Sequence, residues 1–196
     1  MKGIVFATLN SMVEEKLGFD AWQAVLDDVK PESGGIYTAG ASYSDQELFK
    51  LVGAISKRTG ISVPDLVRSF GEFMLGKLAI AYPKFFEGLD AKEFLKSIDS
   101  VIHVEVKKLY PDAGLPTFAY EDQGDPQQLV MIYRSPRALC QLAEGLIQGA
   151  AKYYQTKIGM QHERCIHEGS DHCRFVLTFN HDERKSKSGD QGSGAA

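Results

Sequence analysis

An α+β fold is predicted for this chain: an N-terminal helical subdomain, then a C-terminal antiparallel sheet of about four strands with packed helices. Two observations predict it. The first half carries repeated helix start and stop signals, whereas from residue 116 onward short β-rich runs alternate with turn residues. Between a strand-like run and the last helical pattern, "MIYRSPR" at 131–137 sets a serine and a proline where a helix can open.

The elements follow in order. A first helix runs to Gly18, a suitable residue just past a helix end. A second, "DAWQAVLDDVK", stops before Pro31, and "PESGGIYTAGASY" is a loop. "SDQE" at 44–47 predicts a capping box, with Ser44 as N-cap and Glu47 reaching back, for a helix that ends at Gly60. "SVPD" at 62–65 opens the next helix, which runs toward Pro83, and Asp90 with Glu93 opens another. "PTFAYEDQ" and "QQLVMIYR" read as strands around the turn "QGDP". Ser135 is then the N-cap and Pro136 the first residue of the helix "RALCQLAEGLIQGAAKYY". Strands "KIGMQHERCI" and "CRFVLTF", joined by "HEGSDH", complete the sheet.

At 196 residues, with 43% hydrophobic and 24% charged side chains, one domain over 1–182 is expected. The net charge of −4 gives no electrostatic support for nucleic-acid binding. No run is long enough for a membrane span, and acidic residues 14 and 15 interrupt the start before any cleavage site, so a cytoplasmic protein is expected. Residues 183–196 contain no large apolar side chain and read as a disordered tail.

Of five histidines, His103 stands apart from the others at 162, 167, 172 and 181. On a helix, Ile98, Ile102, Val106 and Leu109 form an apolar stripe, and His103 lies at its edge with Asp99 the one acid nearby. Such a residue is either a half-buried structural histidine or an axial haem ligand, for which a neutral imidazole in an apolar pocket is suited. Tyr133, Ser135 and Arg137 alternate, so on extended backbone they share one face. Two hydroxyls and a guanidinium suit a carboxylate or phosphate; an N-cap serine among surface residues is the plainer alternative.

These residues together resemble the haem nitric oxide/oxygen binding (H-NOX) family, related to the sensor of soluble guanylate cyclase. The resemblance rests on "MKG" at the start, "FGE" at 70–72, the histidine of "DSVIHVEVKKLYP", Pro116 and above all Tyr-x-Ser-x-Arg at 133–137. It implies a ferrous haem b held non-covalently between the two halves, with His103 as proximal ligand. Tyr133, Ser135 and Arg137 would bind its propionates, and Pro116 would press on the macrocycle.

In oxygen-binding members a distal tyrosine, supported from two other helices, donates to the bound gas. Here the matching positions are Leu142, Leu9 and either Phe73 or Met74, which with Val5 and Leu146 make an apolar pocket. The resemblance therefore implies nitric oxide and carbon monoxide binding with poor oxygen affinity. Signalling would follow release of His103, toward a separate partner such as a histidine kinase or a cyclic-dinucleotide enzyme. No enzymatic activity is expected, since no distal acid or base is evident.

"MQHERCIHEGSDHC" carries His162 and Cys165 at chelate spacing, with Cys173 returning across a hairpin and Cys140 on the preceding helix. Three cysteines and one histidine are a closed, structural zinc set. Free thiols with surface histidines are the alternative, and His167 and His172 compete for the histidine place. The same hairpin also resembles a 4-vinyl-reductase-like small-molecule-binding domain with structural zinc and no haem. His103 with Tyr133, Ser135 and Arg137 argues against it, because that domain has no use for them.

Overall fold

Helix α1 (Gly3–Leu17) ends at Gly18, whose amide makes the last bond to the Glu14 carbonyl and whose φ of 92° then turns the chain directly into helix α2 (Phe19–Val29). The structure is a computed structural model that describes residues 1–121 and 124–180. Helix α3 (Asp45–Thr59) is capped by Ser44, which accepts the Gln46 amide, and α4 (Val63–Ala81) by Ser62, which accepts that of Asp65. The capping box at Asp90 is complete and opens α5 (Ala91–Ser97).

The box expected at Ser44 is only half formed. Glu47 does not reach back; it is buried and accepts from the hydroxyls of Ser33 at 2.6 Å and Tyr37 at 2.8 Å. Tyr37 in turn stacks on Phe6 of α1 at 4.7 Å between ring centroids. Glu47 thus pins the 31–44 segment onto the helices. Burial raises its carboxyl pKa, but the Ser33 and Tyr37 bonds outweigh burial and the net shift is downward. Its contribution is therefore present at neutral pH and fades as pH falls below the ordinary value of 4.5. Glu47→Gln is expected to cost about 1–3 kcal/mol in urea unfolding at pH 7, with a smaller difference at acid pH. Equal stability at pH 7 would show that the pin is dispensable.

After α5 the helix continues as a π-helical turn (Ile98–Ile102) and then α6 (His103–Leu109). The wider turn moves the downstream positions out of the phase that a regular helix would keep. Ile98 and Ile102 accordingly pack against the core, whereas Leu109, expected on the same stripe, is 72% exposed.

Strands β1 (Thr117–Glu121), β2 (Gln128–Arg134), β3 (Lys157–Arg164) and β4 (Cys173–Asn180) form an antiparallel sheet in the order β1-β2-β4-β3. The last two residues of the first predicted strand and part of its turn, 122–123, lie outside the described residues, as do His181 and the predicted tail at 183–196. Leu129, Met131 and Tyr133 pair with Leu177, Phe175 and Cys173, giving one buried inner face.

Helix α7 (Cys140–Tyr153) covers that face, but it begins five residues after the predicted N-cap. Ser135 instead accepts the Arg137 amide and Ala138 takes a left-handed φ of 50°, so residues 135–138 form a turn. Pro136 is placed in this turn and not at a helix start. The bend takes Ser135 and Arg137 off the strand, and the shared face expected for Tyr133, Ser135 and Arg137 does not persist.

Two apolar clusters result, one among α1–α4 and one between the sheet, α5 and α7; Leu78 and Leu146 pack against both. The halves are joined where α4 crosses α7. An added Cβ on Gly145 would overlap the Arg68 carbonyl, and one on Gly71 that of Leu142. Among the described residues, no helix is long and apolar enough to cross a membrane.

Candidate functional site

His103 is the first residue after the π turn, and its side chain is 16% exposed. Its ring lies against Phe118 at 5.9 Å, and Phe118 lies against Tyr133 at 5.5 Å. Asp99 Oδ1 stands 3.4 Å from Nδ1 and also accepts the Phe118 amide at 3.1 Å. The carboxylate therefore braces the histidine's helix against β1. Burial lowers the His103 pKa, and Asp99 only partly opposes it. Burial thus favours the neutral imidazole, the form that a metal ligand needs.

Arg137 donates from Nε to Asp45 Oδ2 at 2.6 Å and from a terminal nitrogen to the Gly114 carbonyl. Asp45 Oδ1 is 2.8 Å from the amino group of Met1. Pro116 is half-buried just beyond Gly114, at the entry to β1. Tyr133 is buried on the inner face of β2, which raises its phenol pKa, while the Ser135 side chain partly offsets that shift. The turn thus carries Arg137 to Asp45 of α3 and to the 110–116 segment, while Tyr133 stays on β2 with the Ser135 side chain beside its hydroxyl.

Val5, Leu9 and Met74 belong to one buried cluster, with Phe73, Leu142 and Leu146 packed at its margin. Of the two adjacent candidates on α4, Met74 is the buried one. Phe73 has the Lys77 ammonium 5.0 Å from its ring centroid. Leu142 and Arg137 also border a groove of about 520 Å³ walled by Leu48, Val52, Val67 and Phe70.

Cys140, His162, Cys165 and Cys173 converge, with their ligand atoms all within 4.8 Å of one another. The rival histidines point elsewhere: His167 Nε2 is 2.8 Å from the Ala138 carbonyl and His172 Nδ1 is 2.6 Å from Asp171. Burial and then the neighbouring sulfurs push the Cys140 thiol up, and burial does the same for Cys173. Thiolates crowded in this way are stabilised by a bound dication, so the donor set fits a metal.

Three residues escaped sequence reasoning. Asp45 and Glu144 acquire partners 92 and 18 positions away, Arg137 and His162, which no local pattern discloses. Asn10 carries a buried amide nitrogen without a partner. Asp99 was legible through its i, i+4 spacing to His103.

The model of the haem-NO-binding family matches residues 2–162. The chain is similar to an H-NOX protein from S. oneidensis solved in the Fe(II)NO ligation state, at 35% identity and a TM-score of 0.86, covering 92% of this chain and 100% of that one. An NMR structure of the SO2144 H-NOX domain from Shewanella oneidensis in the Fe(II)CO state matches at 35% identity and a TM-score of 0.84, covering 93% and 100%. Unliganded Fe(II) H-NOX from K. algicida matches at 31% identity and 0.82, covering 93% and 98%. A search of curated proteins finds no match.

Proposed function

Since the chain belongs to the haem-NO-binding (H-NOX) family, we propose that it is a cytoplasmic, non-enzymatic sensor of nitric oxide that also binds carbon monoxide and holds oxygen poorly. The observation that carries this reading is His103: a largely buried imidazole, 5.9 Å from the Phe118 ring, in the sheet-side part of the molecule. Ferrous haem b, when bound, supplies an iron to which a diatomic gas can bind. His103 would hold that iron, with Asp99 steadying its helix. Arg137, Tyr133 and Ser135 would hold the propionates. Asp45 and Gly114 engage two of the arginine's nitrogens, so its remaining donors are the ones a propionate would take. Pro116 would abut the macrocycle.

The gas preference rests on Val5, Leu9, Phe73, Met74, Leu142 and Leu146. None carries an N–H or O–H on its side chain, and oxygen gains more than nitric oxide from such a donor. On nitric oxide binding, His103 would be released. Its helix is tied to β1 through Asp99, so release of His103 would bias the helix against the sheet and change the surface offered to a separate signalling protein, such as a histidine kinase or a cyclic-dinucleotide enzyme. Cys140, His162, Cys165 and Cys173 would hold a structural zinc, which a reducing compartment favours. The family membership removes the haem-free alternative.

Absorption spectra of the reduced protein test the reading, taken without oxygen, then in air, then with nitric oxide. The expected result is a haem spectrum that air leaves initially unchanged and nitric oxide shifts to the form lacking the histidine ligand. A lasting oxygen complex would overturn the gas preference and direct attention to the unpartnered Asn10 amide.

A further inference from the structure

Helix α7 carries Glu144 one turn after Cys140, so both side chains leave the same face. Glu144 is buried, and both of its oxygens are engaged. Oε1 is 2.7 Å from His162 Nδ1, and Oε2 accepts from Arg68 Nε at 2.7 Å. A carboxylate at that distance accepts from Nδ1–H, and the neutral imidazole, the form that can ligate, then has its lone pair on Nε2. That nitrogen is buried without a partner, and His162 belongs to the cluster with the three cysteines.

Resting on the metal reading above, we propose that Glu144 is the positioning residue of the Cys140–His162–Cys165–Cys173 centre. It fixes His162 with Nε2 toward the ion and ties the centre to helix α4 through Arg68. Charge explains why the arginine is needed. Three thiolates with a dication already leave one net negative charge, and a bare carboxylate would add another; Arg68, which also pairs with the exposed Asp65 at 2.7 Å, offsets it. The tie has a structural consequence. Arg68 lies at a close approach of α4 and α7, since its own carbonyl is the atom that an added Cβ on Gly145 would strike. A filled centre therefore braces the crossing between the helix that carries Met74 and the one that carries Leu142 and Leu146.

The test uses the full haem-loaded chain, with Zn²⁺ competed against a chromophoric chelator and Co²⁺ as the spectroscopic probe. The parent is expected to bind one ion per chain. Glu144→Gln and Arg68→Met should each weaken Zn²⁺ binding by roughly 10- to 100-fold, as loss of an outer hydrogen-bond partner does. The cobalt–thiolate charge-transfer band should stay in place at saturation, because the ligands are unchanged. Chelation should raise amide exchange around Arg68 in the parent and not in Arg68→Met. Affinities within twofold of the parent in both variants would overturn the positioning role, and a displaced charge-transfer band would do so too. A parent that holds less than about a tenth of an ion per chain would instead overturn the metal reading itself.

Discussion

Replacing His103 with glycine is expected to leave a folded protein that no longer retains haem through purification. Added imidazole should restore it by filling the space the side chain leaves. The expectation is large because His103 is the one residue assigned to the iron, whereas the propionates and the apolar walls give no bond to it. The fold should survive, since the imidazole meets Phe118 and Asp99 beside β1, an edge strand of the sheet. The measurement is the haem-to-protein absorbance ratio with and without imidazole, beside a far-ultraviolet circular dichroism melt. A variant that kept haem with an unchanged ferrous spectrum would refute the proximal assignment. A variant that lost its melt altogether would give His103 the plain structural role that its helix position equally suggests.

The second large effect concerns the joint between the halves. Gly145→Ala places a methyl against the Arg68 carbonyl and within 2.9 Å of the Gly71 Cα. Both obstacles are backbone, so α4 and α7 must separate. Overpacking of this kind costs about 1–3 kcal/mol, and the gain of alanine over glycine in a helix, up to about 1 kcal/mol, offsets only part of it. Gly76→Ala is the control, because a Cβ there meets nothing within 4 Å. Thermal melts should show Gly145→Ala several degrees below the parent and Gly76→Ala level with it or above. If both variants melted together at or above the parent, the close crossing would not limit stability.

The "FGE" motif at 70–72 illustrates how far local sequence reaches. It marked the family, yet nothing in the tripeptide says why its glycine matters; the reason is a carbonyl 71 positions later, on Leu142. Helix starts at Ser44, Ser62 and Asp90 were legible because a cap is a bond between residues two or three apart. The strands themselves were legible as β-rich runs bounded by turn residues, but their order β1-β2-β4-β3 was not. The four converging donors were legible in their members, since Cys₃His is a chemical type recognisable from composition and spacing. Of the three histidines, His162 is the one the fold brings beside the thiols.

Other features needed the folded chain. The start of α7 moved because residues 135–138 turn to bring Arg137 to Asp45 and Gly114, contacts 92 and 23 positions apart that outweigh the local preference for Ser-Pro at a helix start. Leu109 left the core because a π turn, which no 3.6-residue periodicity anticipates, altered the phase of the helix after Ile98. Glu47 abandoned its cap for Ser33 and Tyr37, and Glu144 became a bridge between His162 and Arg68. By itself the sequence determined which elements form and which chemical groups are present, because propensity, capping and alternation act over a few residues. Only tertiary structure decided which of those groups meet, because a buried charge must find its partner wherever the fold brings one within reach.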